Sequence, residues 1–369
     1  MILLRKFAVS NYKGFRDRIE FDLTKVRHYN FNRQSITDNT VKTGIIVGKN
    51  GSGKTNLGLA LFDLVPTLTD KQTEGLQNLK EAFLNADNDA PSSTFEYEFL
   101  SGDSIIGYSY QKTAPMAIVY ERLTTNGTII FERGPNPKYE NLGLINASNI
   151  RLEGLGEDLS LLRYIANNTI QSENSPVKAI MEFANHMLYF RSLQDNSYIG
   201  VTRGTEQLDK YLMNNNLIDE FEEFMKKEAS LDIRLGKRSV GENEILVQES
   251  IRGPIPFLPI ASSGTRAAML FFYWIKHMGD VGFMYIDEFD AFYHYELAEN
   301  VVRMMSSSKE VQCIFTSHNT TLLDNKMIRP DCCFNLDKGR ITSFSEGTDR
   351  EIREGNSLQN LYRGGEFDE

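Results

Sequence analysis

The feature that most constrains the fold is the octapeptide GKNGSGKT at residues 48–55, which matches the pattern G-x-x-x-x-G-K-[S/T] throughout. A short apolar run, TGIIVG, precedes it, and a run with helical spacing follows over residues 55–65. Pro66 comes directly after this run and predicts that the helix ends or bends there. This strand–loop–helix context predicts a sheet strand whose loop curls its backbone N–H groups around phosphate oxygens. In such a loop, Lys54 reaches the β- and γ-phosphates and Thr55 supplies a hydroxyl to Mg²⁺.

Two carboxylates, Asp287 and Glu288, follow directly after the apolar run GFMYI. An acidic residue at the tip of a buried strand is costly unless a cation lies beside it. We therefore predict that Asp287 holds a phosphate-bound Mg²⁺ through water and that Glu288 takes a proton from the attacking water. The alternative is a strand that ends in two solvated acids.

A histidine, His318, ends a second continuous apolar run, VQCIFTS at residues 311–317. Continuous apolar strands are typical of a parallel sheet, and such sheets bind ligands at their carboxyl edges. His318 is therefore predicted to lie at the same edge as Asp287, where its imidazole would hydrogen-bond the γ-phosphate or the attacking water. A purely structural histidine is the alternative.

The middle of the chain has a different pattern. Four strand-like runs over residues 95–132 are separated by short turns and predict an antiparallel meander. Residues 208–231 have amphipathic spacing and predict a helix. Further on, the segment SSGTR begins at Ser262, directly before an apolar helix predicted over residues 266–277. A serine in this position is also a common helix N-cap.

In this order the segments GKNGSGKT, SSGTR, MYIDEFD and TSHN resemble the ATPase head of ABC-type proteins, most closely the RecF, OLD-nuclease and abortive-infection group. The start FAVSNYKGFRDRIEFDL resembles the start of such heads, and IREGNSLQNLYRGGEF resembles the tail of abortive-infection members. The resemblance covers residues 1–65 and 255–365 and is weak between them. It implies an α/β fold of the P-loop NTPase, ABC-ATPase head type: a mixed parallel sheet core with an antiparallel β-subdomain and a helical insertion.

The resemblance also implies roles for individual residues. Ser263 and Gly264 would contact the γ-phosphate of ATP bound by a second copy, and Asp290 would lie in the loop at the seam between the copies. Lys54, Glu288 and His318 would be catalytic, and Thr55 and Asp287 would hold the metal. The implied nucleotide-binding residues are Asn11, Lys13, Gly48, Asn50, Gly51, Ser52, Gly53, Lys54, Thr55 and Asn56.

One departure from such heads concerns a glutamine that acts at the metal and water position. The loop expected to carry it, AFLNADNDAPSS at residues 82–93, contains none, so the occupant of that position stays open. We divide the chain into residues 1–139, the first part of the head with the β-subdomain, residues 140–245, a helical insertion or lid, and residues 246–369, the second part of the head.

Composition excludes several classes of protein. The net charge of −10 argues against a surface given over entirely to nucleic acid, although it leaves room for a local basic groove. The three cysteines form no paired CxxC motifs, which argues against a disulfide framework or a structural zinc site. The longest apolar run, residues 267–275, falls far short of the roughly 20 residues that cross a bilayer. We expect a cytoplasmic protein without a membrane partner.

The resemblance to ABC-type heads also implies a homodimer or higher homo-oligomer that forms around ATP and Mg²⁺, with slow hydrolysis. The segment after His318 is too short for the nuclease domain of OLD-type proteins, and the chain has no heptads for a long coiled-coil arm. One hypothesis is therefore a sensor or scaffold for a separately encoded nuclease or toxin in anti-phage defence. A RecF-like DNA-repair ATPase, using the basic runs KGFRDR and RLGKR, is the second, and an assembly protein with negligible turnover is the third.

Overall fold

The computed structural model describes residues 1–71, 82–152, 154–191, 197–200, 207–241, 243–291, 293 and 295–367. In these ranges no helix has both the length and the apolar character needed to span a membrane. Two seven-stranded sheets organise the molecule, and a three-stranded and a two-stranded sheet accompany them.

The strands, in chain order, are β1 Ile2–Ser10, β2 Ile19–Asp22, β3 Ile36–Thr37, β4 Thr40–Val41, β5 Thr43–Val47, β6 Ser93–Ser101, β7 Ser104–Ala114, β8 Ala117–Thr125, β9 Thr128–Arg133, β10 Lys138–Tyr139, β11 Met187–Arg191, β12 Ser197–Gly200, β13 Leu235–Val240, β14 Asn243–Gln248, β15 Ile255–Pro256, β16 Phe283–Asp287, β17 Gln312–Ser317, β18 Cys333–Asp337 and β19 Arg340–Ser343.

The α-helices are α1 Lys54–Leu61, α2 Leu64–Leu68, α3 Leu161–Asn168, α4 Pro176–Asn185, α5 Leu208–Asn214, α6 Ile218–Glu228, α7 Phe257–Ile260, α8 Ser263–Lys276, α9 Tyr295–Ser307 and α10 Leu358–Arg363. Short 3₁₀ helices are formed by Arg33–Ser35, Leu142–Ile145, Met278–Asp280, Thr320–Leu322 and Pro330–Cys332.

The core sheet has the strand order β12–β11–β16–β17–β5–β18–β19. Its five inner strands run parallel, and the edge strands β12 and β19 pair antiparallel with their neighbours. β16 and β17 are buried along their whole length, which is why their sequences read as continuous apolar runs. The prediction of a mixed parallel sheet core is confirmed.

The second large sheet is antiparallel throughout, in the order β10–β9–β8–β7–β6–β1–β2. Along most of β6, buried residues alternate with half-buried ones, because one face packs on the core and the other meets solvent. The predicted meander is confirmed as β6 to β9. The first two strands of the chain extend the same sheet, a long-range pairing that the local sequence does not reveal.

Helix α1, which follows the octapeptide, lies between the two large sheets. The Tyr97 hydroxyl of the antiparallel sheet donates a hydrogen bond to the Leu61 carbonyl at the end of α1, at 3.1 Å. The Tyr285 hydroxyl of the core sheet donates to the Lys54 carbonyl at its beginning, at 2.8 Å. Phe183 of α4 fills the neighbouring space against aromatic rings of both sheets. The helix behind the loop is thus held from two sides.

The segment over residues 140–245 differs from the expected helical insertion. It holds α3 to α6, but it also supplies β11, an inner strand of the core sheet, and the hairpin β13–β14. The helix predicted over residues 208–231 is divided into α5 and α6, because Asn216 between them has a positive φ of 55°. The division of the chain into three segments otherwise stays a prediction.

Helix boundaries differ from the predictions in smaller ways. α1 ends at Leu61, and Pro66 lies in the first turn of α2, where the missing N–H has no helical partner to lose. α8 begins at Ser263, three residues before its predicted start, because Ser262 caps it. Helix α9 starts at Tyr295, and residues 292 and 294 before it lie outside the described ranges.

Candidate functional site

The loop over residues 48–53 connects β5, an inner strand of the core sheet, to α1. Gly51 and Gly53 have positive φ angles of 79° and 106°, which side chains rarely adopt. At Gly48 a Cβ atom would lie 2.4 Å from the Leu336 carbonyl oxygen and 2.7 Å from Ser52 Oγ, so no larger residue fits. The loop is therefore built from backbone at the positive end of α1, an arrangement that favours an anion.

Lys54 lies behind this loop with its side chain only 4% exposed. Its Nζ donates a hydrogen bond to the Gly48 carbonyl at 2.9 Å and lies 3.0 Å from His318 Nε2. Glu288 Oε1 is 3.6 Å away. Burial lowers the pKa of Lys54 from its usual value, and the carboxylate of Glu288 opposes that shift. The ammonium thus lies in a site that an added negative charge would stabilise.

Asp287, at the end of β16, accepts hydrogen bonds on both carboxylate oxygens and is 5% exposed. Thr55 Oγ1 and the Tyr189 hydroxyl donate to Oδ2 at 2.7 and 3.3 Å, and Thr316 Oγ1 donates to Oδ1 at 2.6 Å. The hydroxyl and the carboxylate that the sequence assigned to the metal are therefore in direct contact.

Oxygen ligands of this kind fit Mg²⁺, which takes one or two protein ligands and completes its shell with water and phosphate oxygens. Among the described residues, no group of three or more histidine, cysteine, aspartate or glutamate side chains could hold a metal ion. A donor set of one hydroxyl and one carboxylate suits a cation that arrives with phosphate.

Glu288 leaves the strand direction, with a positive φ of 50°. Its backbone N–H donates to Thr316 Oγ1 at 2.8 Å, and its Oε1 lies 2.8 Å from His318 Nε2. Burial raises the pKa of Glu288, and the positive charges of Lys54 and His318 oppose the rise. A carboxylate whose pKa is raised in this way is better suited to accept a proton.

An open cleft of about 820 Å³ lies in front of these side chains. It brings together residues from the loop, from the end of β16 and from the segment after β17. Asp287 lies behind the wall of the cleft. Ala291 and Asn319 line it without having been predicted. The lining residues are Asn50, Gly51, Ser52, Gly53, Lys54, Thr55, Asn56, Glu288, Asp290, Ala291, His318 and Asn319.

Asp290 is one of these lining residues. Burial raises its pKa, and hydrogen bonds from the Ser317 and Asn319 side chains oppose the rise. It thus lines the cleft and is hydrogen-bonded to the segment that carries His318. Its predicted place at a seam between two copies stays a prediction.

Asn11 and Lys13 line neither this cleft nor its neighbour. Asn11 is 2% exposed, and its side-chain amide donates to the carbonyls of Ala90 and Ser92. Lys13 Nζ donates to the Ala82 carbonyl at 3.3 Å. Both side chains thus hold the loop at residues 82–92, and their predicted contact with nucleotide stays a prediction.

A second cleft of about 500 Å³ shares the loop at residues 50–53 with the first. Its other walls come from the turn after β1 and the turn between β18 and β19, including Phe15, Arg16 and Lys338. Asn11 and Lys13, which were predicted to bind nucleotide, lie in that first turn. The adjoining residues 14–17 are the ones that reach the loop.

The signature segment, residues 262–264, lies at the N-terminus of α8. Ser262 Oγ accepts a hydrogen bond from the Thr265 N–H at 3.1 Å and caps the helix. Ser263 is exposed, Gly264 is half-buried, and neither lines the cleft of its own chain. The structure thus brings the loop, the two carboxylates and the histidine together and leaves the signature segment apart.

The flank of Asp287 is occupied by a residue that the sequence analysis missed. In the core sheet, β11 runs parallel to β16 with Arg191 directly opposite Asp287. Arg191 is 8% exposed and lies over the Tyr189 ring. Residues 192–196, which follow Arg191, lie outside the described ranges.

Comparison with known proteins gives a family. A sequence profile of the family described as "AAA domain, putative AbiEii toxin, Type IV TA system" matches residues 45–324. No curated protein sequence shows a significant match.

Similar solved structures include the SMC head domain from Thermotoga maritima, at 15% identity and a TM-score of 0.43, covering 95% of this chain and 99% of that one. The Smc head domain with an extended coiled coil bound to the C-terminal domain of ScpA, from Pyrococcus furiosus, has 14% identity and a TM-score of 0.47, covering 98% of each chain.

Proposed function

The chain belongs to the AAA-domain family described as putative AbiEii toxins of type IV toxin–antitoxin systems, and from that premise we propose that it binds ATP with Mg²⁺ and hydrolyses it between two copies of itself. The observation that carries the proposal is the single cleft edge where the phosphate loop, Glu288 and His318 meet, with Asp287 directly behind it.

Binding is assigned to the residues around the loop. The backbone N–H groups of residues 50–54 would hold the phosphates, and Lys54, with its lowered pKa, would gain charge stabilisation from the β- and γ-phosphates. Thr55 and Asp287 would hold Mg²⁺, which when bound neutralises charge on the phosphate oxygens.

Hydrolysis is assigned to Glu288 and His318. Glu288 takes a proton from a water molecule whose oxygen forms a bond to the γ-phosphorus, while the bond from that phosphorus to the bridging oxygen of ADP breaks. His318, 2.8 Å from Glu288 Oε1, would orient this water or hydrogen-bond the γ-phosphate. Both side chains line the cleft, which suits direct contact with the reacting atoms.

A second copy is needed because Ser263 and Gly264 lie outside the cleft of their own chain. In the proposed dimer they close over the ATP of the other copy, and Asp290 lies at the seam. The surface before the signature segment supports this arrangement, since the apolar side chains of Ile255 and Ile260 are 42% and 48% exposed there. A partner that covers them would remove apolar area from water.

The dimer is tested by size-exclusion chromatography of Glu288→Gln, which should trap ATP and elute at twice the monomer mass with ATP and Mg²⁺. The double variant Lys54→Ala/Glu288→Gln, which cannot hold the phosphates, should remain monomeric. An unchanged elution volume of the trapped variant in ATP, with ATP binding demonstrated separately, would contradict the two-copy site.

Complementation between copies tests the placement of Ser263. Lys54→Ala lacks a working loop and Ser263→Arg lacks a working signature segment, so each should be nearly inactive alone. A mixture contains dimers in which the loop of the Ser263→Arg chain meets the signature segment of the Lys54→Ala chain. Phosphate release should therefore recover in the mixture, and a mixture as inactive as its components would argue for a site within one chain.

For the biological role, we propose a cytoplasmic sensor or scaffold in anti-phage defence that controls a separately encoded nuclease or toxin. The family description, with its toxin–antitoxin context, supports a defence role. The test is purification of tagged Glu288→Gln with ATP from cells that also express the product of the adjacent gene. Its recovery in the ATP-bound form, and not with Lys54→Ala, is the expected result.

A RecF-like DNA-repair ATPase is supported less well. Arg18 of the first basic run pairs with Glu20 and Glu96, and Arg238 of the second pairs with Glu249. These arginines are already neutralised by neighbouring carboxylates and so have little free charge for DNA phosphates. A DNA affinity that increases with ATP and falls steeply with salt would reverse this ranking.

A further inference from the structure

Thr316, on β17, contacts the end of β16 through three separate hydrogen bonds. Its hydroxyl donates to Asp287 Oδ1 at 2.6 Å and accepts from the Glu288 N–H at 2.8 Å. Its backbone carbonyl accepts from the Phe289 N–H at 3.2 Å. A single fully buried residue thus holds three consecutive residues, the last one of β16 and the two that follow it.

The register of the sheet explains why this residue is in reach. The parallel pairing of β16 and β17 ends with Ile286 opposite Phe315, so Asp287 and Thr316 occupy the next position on each strand. At that position the chain turns, because Glu288 has a positive φ of 50°. In a regular ladder a backbone N–H donates to a backbone carbonyl of the next strand. The Glu288 N–H instead donates to the Thr316 side chain.

Each of the two carboxylates depends on the hydroxyl in a different way. Asp287 has Thr55 and Tyr189 on Oδ2, the oxygen that faces the phosphate loop, whereas Thr316 is the one donor to Oδ1 in the described part of the chain. Glu288 has its side chain directed to His318 only while the backbone keeps its unusual φ. A hydroxyl can donate one hydrogen bond and accept another, so Thr316 serves both residues at once.

We propose that Thr316 is a positioning residue that sets the metal-binding carboxylate Asp287 and the base Glu288 relative to each other. This proposal rests on the ATP and Mg²⁺ site proposed above. Valine has nearly the same shape but no hydroxyl, and serine keeps the hydroxyl without the methyl group. Loss of the hydroxyl leaves Asp287 Oδ1 and the Glu288 N–H without their partner and frees both groups to move.

The test compares Thr316→Val with Thr316→Ser and with Thr43→Val. Thr43 is a matched control, since it is equally buried in the same sheet and its hydroxyl has no hydrogen-bond partner among the described residues. A fluorescent ATP analogue, mant-ATP, is titrated with EDTA present and then with increasing MgCl₂. Phosphate release is measured in parallel.

For Thr316→Val we expect an unchanged mant-ATP affinity in EDTA, a Mg²⁺ half-saturation raised by about tenfold or more, and kcat lowered by about 10- to 100-fold, as for other residues that orient a metal ligand. Thr316→Ser should recover most of both values, and Thr43→Val should match the wild type. Equal losses in the valine and serine variants would overturn the proposal, because they would indicate packing, and so would a wild-type Mg²⁺ requirement in Thr316→Val.

Failure of the proposed function has a different result. A wild-type chain that does not bind mant-ATP at all would remove the ATP site itself, whatever the variants do. A wild-type chain that binds mant-ATP and needs Mg²⁺, beside a Thr316→Val variant with the same behaviour, would remove only the role of Thr316.

Discussion

Two of the buried lysines, Lys112 and Lys54, lie in different regions of the protein and have different surroundings. Lys112, beneath the antiparallel sheet, is 1% exposed, and its Nζ lies 2.6 Å from both Asp63 Oδ2 and Thr67 Oγ1. Lys54, at the carboxyl edge of the core sheet, is 4% exposed, and its ion pair with Glu288 spans 3.6 Å. One lysine is closed off with its carboxylate, and the other lines an open cleft.

The difference separates a structural charge from one available to a ligand. Asp63 also accepts a hydrogen bond from the Tyr110 hydroxyl at 3.0 Å, so the Lys112 cluster is saturated and joins β7 to the junction of α1 and α2. The pKa of Lys54 stays below its usual value because burial destabilises the ammonium more than the nearby carboxylates stabilise it. A phosphate group can supply what the protein leaves incomplete there.

The largest expected effect is on stability, from Lys112→Met. It leaves Asp63 buried without its cation, which should lower the free energy of unfolding by about 3–5 kcal/mol. Urea denaturation measures the loss, and mant-ATP affinity of the folded protein should be unchanged. The double variant Lys112→Met/Asp63→Asn should recover part of it, and a loss near zero in the single variant would show that the ion pair is not structural.

Next in size is Lys54→Ala, whose effect should fall on chemistry and not on folding. Removing a charge that stabilises the transferred phosphoryl group should lower phosphate release by about 10²–10³-fold. Its urea midpoint should change far less than that of Lys112→Met. Lys49→Ala removes an exposed lysine from the same loop and is the control expected to keep its activity. Comparable activity of Lys54→Ala and Lys49→Ala would contradict the view that Lys54 is the charge available to a ligand.

A smaller effect is expected from Gly58→Ala, in the helix that connects the two regions. The added Cβ would lie 2.6 Å from the Tyr285 ring and 2.9 Å from Tyr189, and we expect a net loss of about 1–3 kcal/mol from overpacking. Because Tyr189 also contacts Asp287, phosphate release should fall as well. Gly279→Ala, where a Cβ would meet nothing within 4 Å, is the control for thermal unfolding.

The smallest effect near neutral pH concerns Glu288. Since burial raises its pKa, the carboxylate becomes protonated at a higher pH than an exposed glutamate and then cannot accept a proton from water. Phosphate release should fall about tenfold per pH unit below that pKa and level off above it. The residual activity of Glu288→Gln should lack this fall at acidic pH. If the fall persists in Glu288→Gln, another group is responsible for it.

The parts of the site that could be predicted from the sequence are those that depend on neighbours in the chain. The loop at residues 48–55 follows its own strand and precedes its own helix, so its shape could be predicted from eight residues. Asp287, Glu288 and His318 each end a continuous apolar run, and parallel strands present such ends at one edge of the sheet. Glu288 and His318 do meet at the cleft, and Asp287 lies directly behind its wall.

Other residues could not be chosen because their roles depend on pairing across the fold. Asn11 and Lys13 hold the loop at residues 82–92 through hydrogen bonds that the local sequence does not reveal. Arg191 flanks Asp287 only because β11, far along the chain, pairs with β16. Thr316 is an ordinary threonine in an apolar strand until the register places it opposite Asp287.

The sequence by itself determined the shape of the loop at residues 48–55 and which charged side chains end the core strands, because glycine conformation, strand burial and charge at strand ends are local properties. The tertiary structure alone decided the pairs: Lys112 with Asp63, Arg191 beside Asp287, and Thr316 with both carboxylates. The physical reason is that a hydrogen bond or an ion pair needs two groups within about 3–4 Å. Strand order and register set that separation, and neither can be predicted from the local sequence around one of the two groups.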